Sequence, residues 1–162
     1  MKNFIGLLIL VVMFLVPFEV FAAEKLPTVR LRVLASHIAN KIVTEAVKNC
    51  ATRGYLVSAA VVDRNGNLAA FLRNPLSGPH TIKVSQRKAY SSATLRAATS
   101  QMGARSDLSF APDILLIVGG VPISFSGIFY GGIAVSGAKP DIDEKCAKAG
   151  LEAVADIMDF VD

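Results

Sequence analysis

Apolar residues at Leu31, Leu34, Ile38, Ile42 and Ala46 recur at steps of three and four, the spacing that gathers one face of a helix. The pattern predicts an amphipathic helix over residues 28–52, closed by Gly54 as a C-cap. From Leu56 to Val62 the chain turns β-branched and apolar, and a second such run covers Leu68 to Arg73. Between them lies Asp63-Arg64-Asn65-Gly66-Asn67. Asn-Gly tolerates the positive φ of a tight turn, so the two runs are predicted to pair as a hairpin. Pro75, Gly78 and Pro79 then mark a loop.

Thr81 to about Ser100 predicts a second helix, rich in small side chains. Ala89, Ala93 and Ala97 share a face that can sit close to a sheet or a flat ligand. Lys88, Ser92 and Arg96 share another at i, i+4 and i+8. Short strands are predicted at Ile114–Val118, around Ile123–Phe125 and at Phe129–Val135, with Gly119-Gly120 and Pro122 bending the exit of the first. Ser126-Gly127 turns between the last two. The final helix begins after Pro140, with Asp141 as N-cap and Glu144 three residues on. Helix, hairpin, helix, three short strands and helix make an α/β (α+β) domain, an antiparallel sheet with helices packed on it.

Composition narrows the class. A chain of 162 residues with 52% hydrophobic and 19% charged side chains can bury enough apolar surface to offset its ordering entropy, so disorder is excluded. Two cysteines are too few for a disulfide scaffold or a four-cysteine zinc site. No internal repeat or linker divides the chain. Its one long apolar run, Phe4 to Phe18, follows Lys2 and is broken by Pro17, which is short for a spanning helix of roughly 20 residues. Val20-Phe21-Ala22 offers small residues for a signal peptidase. Residues 1–22 therefore read as a secretory signal cleaved near Ala22, with an uncleaved anchor as the alternative. The mature domain, 23–162, is expected to be periplasmic or secreted and not membrane-spanning.

Charge adds a direction. The formal net charge is +4, and no acidic residue lies between Asp63 and Asp107, where Arg64, Arg73, Lys83, Arg87, Lys88, Arg96 and Arg105 fall. Such a segment raises a positive potential over its part of the surface. In an exported protein the fitting partner is a small anion rather than a nucleic acid.

The hairpin Val61-Val62-Asp63-Arg64-Asn65-Gly66-Asn67-Leu68-Ala69-Ala70-Phe71 resembles the first hairpin of the GlcG/HbpS family of haem-binding-like proteins. Arg87-Lys88-Ala89-Tyr90-Ser91-Ser92-Ala93 resembles that family's "KAYTA" helix. Gly119-Gly120-Val121-Pro122-Ile123, Ile133-Ala134-Val135-Ser136-Gly137-Ala138 and Asp143-Glu144-Lys145-Cys146-Ala147 are similar to its later segments, in the same order. The resemblance spans roughly residues 28–160. It implies a profilin-like sandwich with a five-stranded antiparallel sheet, N- and C-terminal helices packed together and a middle helix. It also implies homo-oligomers, haem binding in some members, and in others an envelope sensor as partner. Ser91-Ser92 stands where the family usually has Thr-Ala, so a ligand role for that threonine does not carry over.

Haem needs an axial ligand, an apolar slot and cations for its propionates. His80 enters the small-residue helix from Ser77-Gly78-Pro79, where backbone N–H groups favour an anion, and is the first candidate for iron. Shaping the helix entry is its alternative role. Lys88, Arg96 and Arg87 are the candidate cations, and Tyr90 a candidate contact that also suits packing on the sheet. His37 is the alternative iron ligand, though its spacing from Lys41, Thr44 and Lys48 puts it on the polar side of the first helix. If the first and last helices pack antiparallel, Cys50 and Cys146 come close, and export favours a disulfide over two buried thiols.

No G-x-S-x-G elbow, Walker loop, HExxH or dinucleotide fingerprint occurs. Asp63, Asp107 and Asp113 have no evident carboxylate partner for acid–base work, and Asp63 fits the hairpin turn. The expected function is that of an exported, oligomeric protein binding a small anionic ligand, haem foremost. The alternatives are an accessory protein for an envelope sensor or oxidoreductase, and an enzyme acting on small hydroxy or keto acids.

Overall fold

The computed structural model describes residues 27–159; the expected signal segment, 1–22, lies outside the described residues. Residues 27–31 contain no helix or strand, and the elements below all belong to the unit that begins at Arg32.

The first helix, α1, spans Ser36–Thr52 and is shorter than its apolar repeat suggests. Val33 stays 63% exposed, so burial does not offset the helix cost of the β-branched residues before Ser36. Leu34 reaches the core from extended chain instead. Gly54, just past the helix, takes φ +81° as expected of a terminating glycine. The hairpin forms as its turn sequence predicts, with β1 at Ser58–Asp63 and β2 at Leu68–Arg73. Asp63 organises the turn, its Oδ1 accepting from the backbone N–H of Asn65 at 2.8 Å and of Asn67 at 2.9 Å.

The second helix, α2, covers His80–Leu95. It stops short of Ser100 because Arg96 turns to the left-handed conformation, φ 51°, and a 3-10 turn at Thr99–Met102 follows. A further 3-10 turn covers Ser106–Phe110. Two strands complete the sheet, β3 at Gly120–Phe125 and β4 at Ile128–Ser136, joined by Ser126-Gly127 with φ 48° and 77°. Positive φ at both positions is the signature of a tight hairpin turn. Helix α3, Pro140–Glu152, and the short α4, Ala155–Met158, close the described chain. Lys139 is the N-cap of α3 and Pro140 its first residue, so the expected cap at Asp141 is corrected. Proline suits that position because its missing N–H would be unpaired there anyway.

The sheet has four strands in the order β2-β1-β4-β3, every neighbouring pair antiparallel, rather than the five expected. The missing strand is Ile114–Val118. Its backbone is partly claimed by α2: Ser91 Oγ accepts from the Leu115 N–H at 2.7 Å, and Arg87 donates to the Ile114 carbonyl at 3.0 Å. Pro122 falls on edge strand β3, where a lost N–H is tolerated.

Alternation along β1 divides the core. Ala59 and Val61 face α1 and α3 with Ile42, Val43, Ile133, Val135 and Ala147; Ala60 and Val62 face α2 with Ala89, Ala93 and Ala134. Each fully buried valine or isoleucine stabilises the fold by roughly 1.5–3 kcal/mol. The small residues of α2 now have an explanation: the sheet is what lies close. A Cβ at Gly132 would stand 2.5 Å from the Ala89 carbonyl oxygen. Across the other layer, Cys50 of α1 and Cys146 of α3 form the expected disulfide, with Cα atoms 5.5 Å apart.

Candidate functional site

Helix α2 sets His80, Val84 and Lys88 on one side at four-residue steps, facing the Gly137-Ala138 turn and the start of α3. The loop before it is fixed by hydroxyls. Thr81 Oγ1 bonds to the Gly78 carbonyl at 2.6 Å and stands 2.9 Å from Ser77 Oγ and 2.7 Å from Ser58 Oγ. His80 is exposed, and its ring lies so close to Gly78 that an added Cβ there would sit 2.7 Å from Cε1.

Lys88 is not on a solvated stripe. It is 1% exposed, and its ammonium donates to the Val135 carbonyl at 3.1 Å and to Asp143 Oδ2 at 2.9 Å. Asp143, 2% exposed, also accepts from the Ala138 N–H at 3.0 Å. Burial pushes the Asp143 carboxyl above its ordinary range, outweighing the downward pull of Lys88 and the Ala138 and Gly137 N–H groups. The positive charge expected to meet a ligand carboxylate is thus compensated from within the protein. His80 and Lys88 do line one hollow of about 290 Å³, with Val84, Ile117, Ala138 and Asp143.

Arg96 is elsewhere. Because α2 ends at Leu95, its guanidinium swings out and lies 4.9 Å over the Phe129 ring. The expected face of Lys88, Ser92 and Arg96 therefore does not form: the first two are buried and the third leaves the helix. Arg87 and Tyr90 line a separate cleft of about 260 Å³ with Gln86 and Asp113. There Arg87 braces the carbonyls of Asp113 and Ile114, and Tyr90 covers Gly66, whose added Cβ would lie 2.6 Å from the ring. Other parts of the basic segment are also engaged, Arg73 with the Ser77 carbonyl and Arg105 with Asp107.

His37 lines a third hollow, of about 440 Å³, with Arg32, Leu34, Ile38, Tyr130 and Met158. Sequence spacing put His37 on the polar side of a longer helix. His37 is indeed exposed, but the extended chain before Ser36 brings Arg32 and Leu34 to the same wall while Met158 arrives from α4. Tyr130 is 4% exposed and its ring stands 6.4 Å from that of Phe125. Arg32, Tyr130 and Met158 carried no local signal in the sequence, since only the tertiary fold brings them to His37. Among the described residues, no cluster of three or more His, Cys, Asp or Glu side chains is placed to hold a metal ion.

The three hollows differ in fitness for a flat, apolar, iron-bearing ligand. Small-molecule sites occupy roughly 300–1,000 Å³ with mainly apolar walls and a few polar groups. The His37 hollow meets this with an imidazole, a cation and apolar side chains. The His80 hollow is smaller and has an ion pair in its lining.

A family model described as "Haem degrading protein HbpS-like" matches residues 34–152. A double mutant of Streptomyces reticuli HbpS is 33% identical, covering 82% of this chain and 94% of that one, with a TM-score of 0.76. Klebsiella pneumoniae ORFY, of the DUF336 family, is 21% identical over 80% of this chain and 95% of that one, also at 0.76. PduOC, solved as a complex with heme, is 21% identical over 75% of this chain and 95% of that one, at 0.68. Comparison with curated proteins found no match.

Proposed function

The chain belongs to the HbpS-like family, and from that premise we propose that it is an exported haem-binding protein whose haem site is the hollow at His37. The observation that carries the proposal is the composition of that hollow: an imidazole beside apolar walls and the cationic side chain of Arg32, in about 440 Å³. His37 would hold the iron, Leu34 and Ile38 would cover the ring faces, and Arg32 would favour the propionates. Haem, when bound, supplies an iron centre whose reactivity is set by its axial ligand and by how far water is excluded. PduOC is a protein of the same fold solved with heme, so the fold admits the ligand.

Several features support the rest of the reading. A Cys50–Cys146 disulfide suits an oxidising compartment, as expected if residues 1–22 are removed on export. Among the described residues, no helix is long and apolar enough to cross a membrane. The hollow opens at the surface beside the exposed Ile157, and a second subunit there would deepen it, consistent with an oligomer.

Titration with hemin tests the proposal. The expected result is a saturable Soret shift that His37→Ala abolishes and His80→Ala leaves unchanged. A shift that survives His37→Ala and disappears in His80→Ala would transfer the iron to the other hollow, and no saturable shift in the unsubstituted protein would end the haem reading.

A further inference from the structure

The hollow at the start of α2 is smaller than the one at His37 and has an ion pair in its lining, yet it has the parts of a site of its own. Lys88 and Asp143 are buried together on its inner side, and replacing such a pair by apolar side chains is often no less stable. Buried ionisable groups that line a cleft are candidates for function. An ammonium has three N–H donors, and among the described residues that of Lys88 has two hydrogen-bond acceptors, Val135 O and Asp143 Oδ2. One donor therefore remains in a side chain that is 1% exposed and lines a hollow of about 290 Å³.

We propose that this hollow is a second binding site, distinct from the haem site, for a small uncharged molecule bearing a carbonyl or hydroxyl oxygen. That oxygen accepts the remaining Lys88 N–H. The ion pair fixes the charge class: Lys88 and Asp143 sum to zero, and an anionic guest would bring a second negative charge beside a carboxylate already removed from water. Val84, Ile117, Ala138 and Pro140 give the guest apolar walls, so its carbon skeleton is short and its polar atoms few. His80, exposed at the edge of the same hollow, can donate to or accept from a second oxygen of the guest.

The test is a nitrogen-15 NMR titration of the whole protein with acetamide and with dihydroxyacetone as neutral probes, and with acetate as their anionic counterpart. Saturable shifts of the Gly137 and Ala138 amides and of the Lys88 ammonium are expected with a neutral probe, and weaker binding of acetate. Val84→Phe, which fills the hollow, should weaken the neutral probe at least tenfold while hemin binding is unchanged. Ala138→Leu does the same from the opposite wall and serves if Val84→Phe loses its dispersed spectrum. The proposal is overturned if neither neutral probe gives saturable shifts, if the filled variants bind equally well, or if acetate binds more tightly than both.

Discussion

Nζ of Lys88 lies 2.9 Å from Oδ2 of Asp143, joining α2 to α3 across 55 positions of sequence. Both side chains are almost fully buried, so each charge depends on the other for the solvation it has lost. Removing one partner strands the other, a loss of about 3–5 kcal/mol in buried pairs. Lys88→Met is expected to lower stability by that order in urea denaturation. The double variant Lys88→Met with Asp143→Asn should recover much of the loss, because no lone charge remains. A double variant no more stable than the single one would mean that the pair is not the unit of stability.

The disulfide acts at longer range. Cys50 and Cys146 are 96 positions apart, and closing a loop of about that length restricts the unfolded chain by an amount the loop-entropy model puts near 4–5 kcal/mol. The double variant Cys50→Ala with Cys146→Ala should melt well below the unsubstituted protein. Thiol titration of the unreduced, denatured protein should find neither cysteine free, and two thiols per chain would contradict the bridge.

What could be read in the sequence, and what could not, follows the range of the interactions. The hairpin around Asn65-Gly66 and the last two strands are set by local periodicity and turn chemistry and stand within a few residues of expectation, whereas α1 begins eight residues later and α2 ends about five residues earlier than their patterns predict. The cysteine pair was legible because two helical positions and a compartment limit the choices. Ile114–Val118 misled because its apolar pattern suits a strand, while its backbone partners, Ser91 and Arg87, come from a distant helix. The site misled for the same reason. A lysine followed by a serine four positions on and an arginine eight positions on looks solvated until Asp143, 55 positions on, covers it. His37 acquires Tyr130 and Met158 only when the chain has closed.

Close contact between α2 and the sheet gives a sharper test of the fold than most core substitutions. At Gly132 an added Cβ would stand 2.5 Å from the Ala89 carbonyl oxygen, 2.8 Å from the Ala93 nitrogen and 3.2 Å from the Ala93 Cβ. Two of these neighbours are helix backbone, so a side chain cannot rotate away and α2 itself must shift. Gly132→Ala, a single methyl, should therefore destabilise by about 1–3 kcal/mol or more, the range of overpacked cores. Thermal unfolding checks it, and an unchanged Tm would show that the helix has room to retreat.

Acid should act on the hairpin through Asp63. Partial burial alone would raise its pKa, but hydrogen bonds from the Asn67 side chain and from the backbone N–H groups of Asn67, Asn65 and Gly66 outweigh this and hold it below the ordinary value of 3.8. A carboxyl depressed in the folded state releases its proton more readily there than in the unfolded chain. Its contribution is therefore complete above 3.8 and is lost as pH falls through the lower folded value. Asp63→Asn keeps an acceptor oxygen but has no charge to titrate, so its stability should fall less steeply with acid than that of the unsubstituted protein. Urea midpoints measured from neutral to strongly acidic pH give the comparison. Parallel curves would assign the acid sensitivity to other groups, whereas convergence of the two curves at low pH places it in the turn that Asp63 organises.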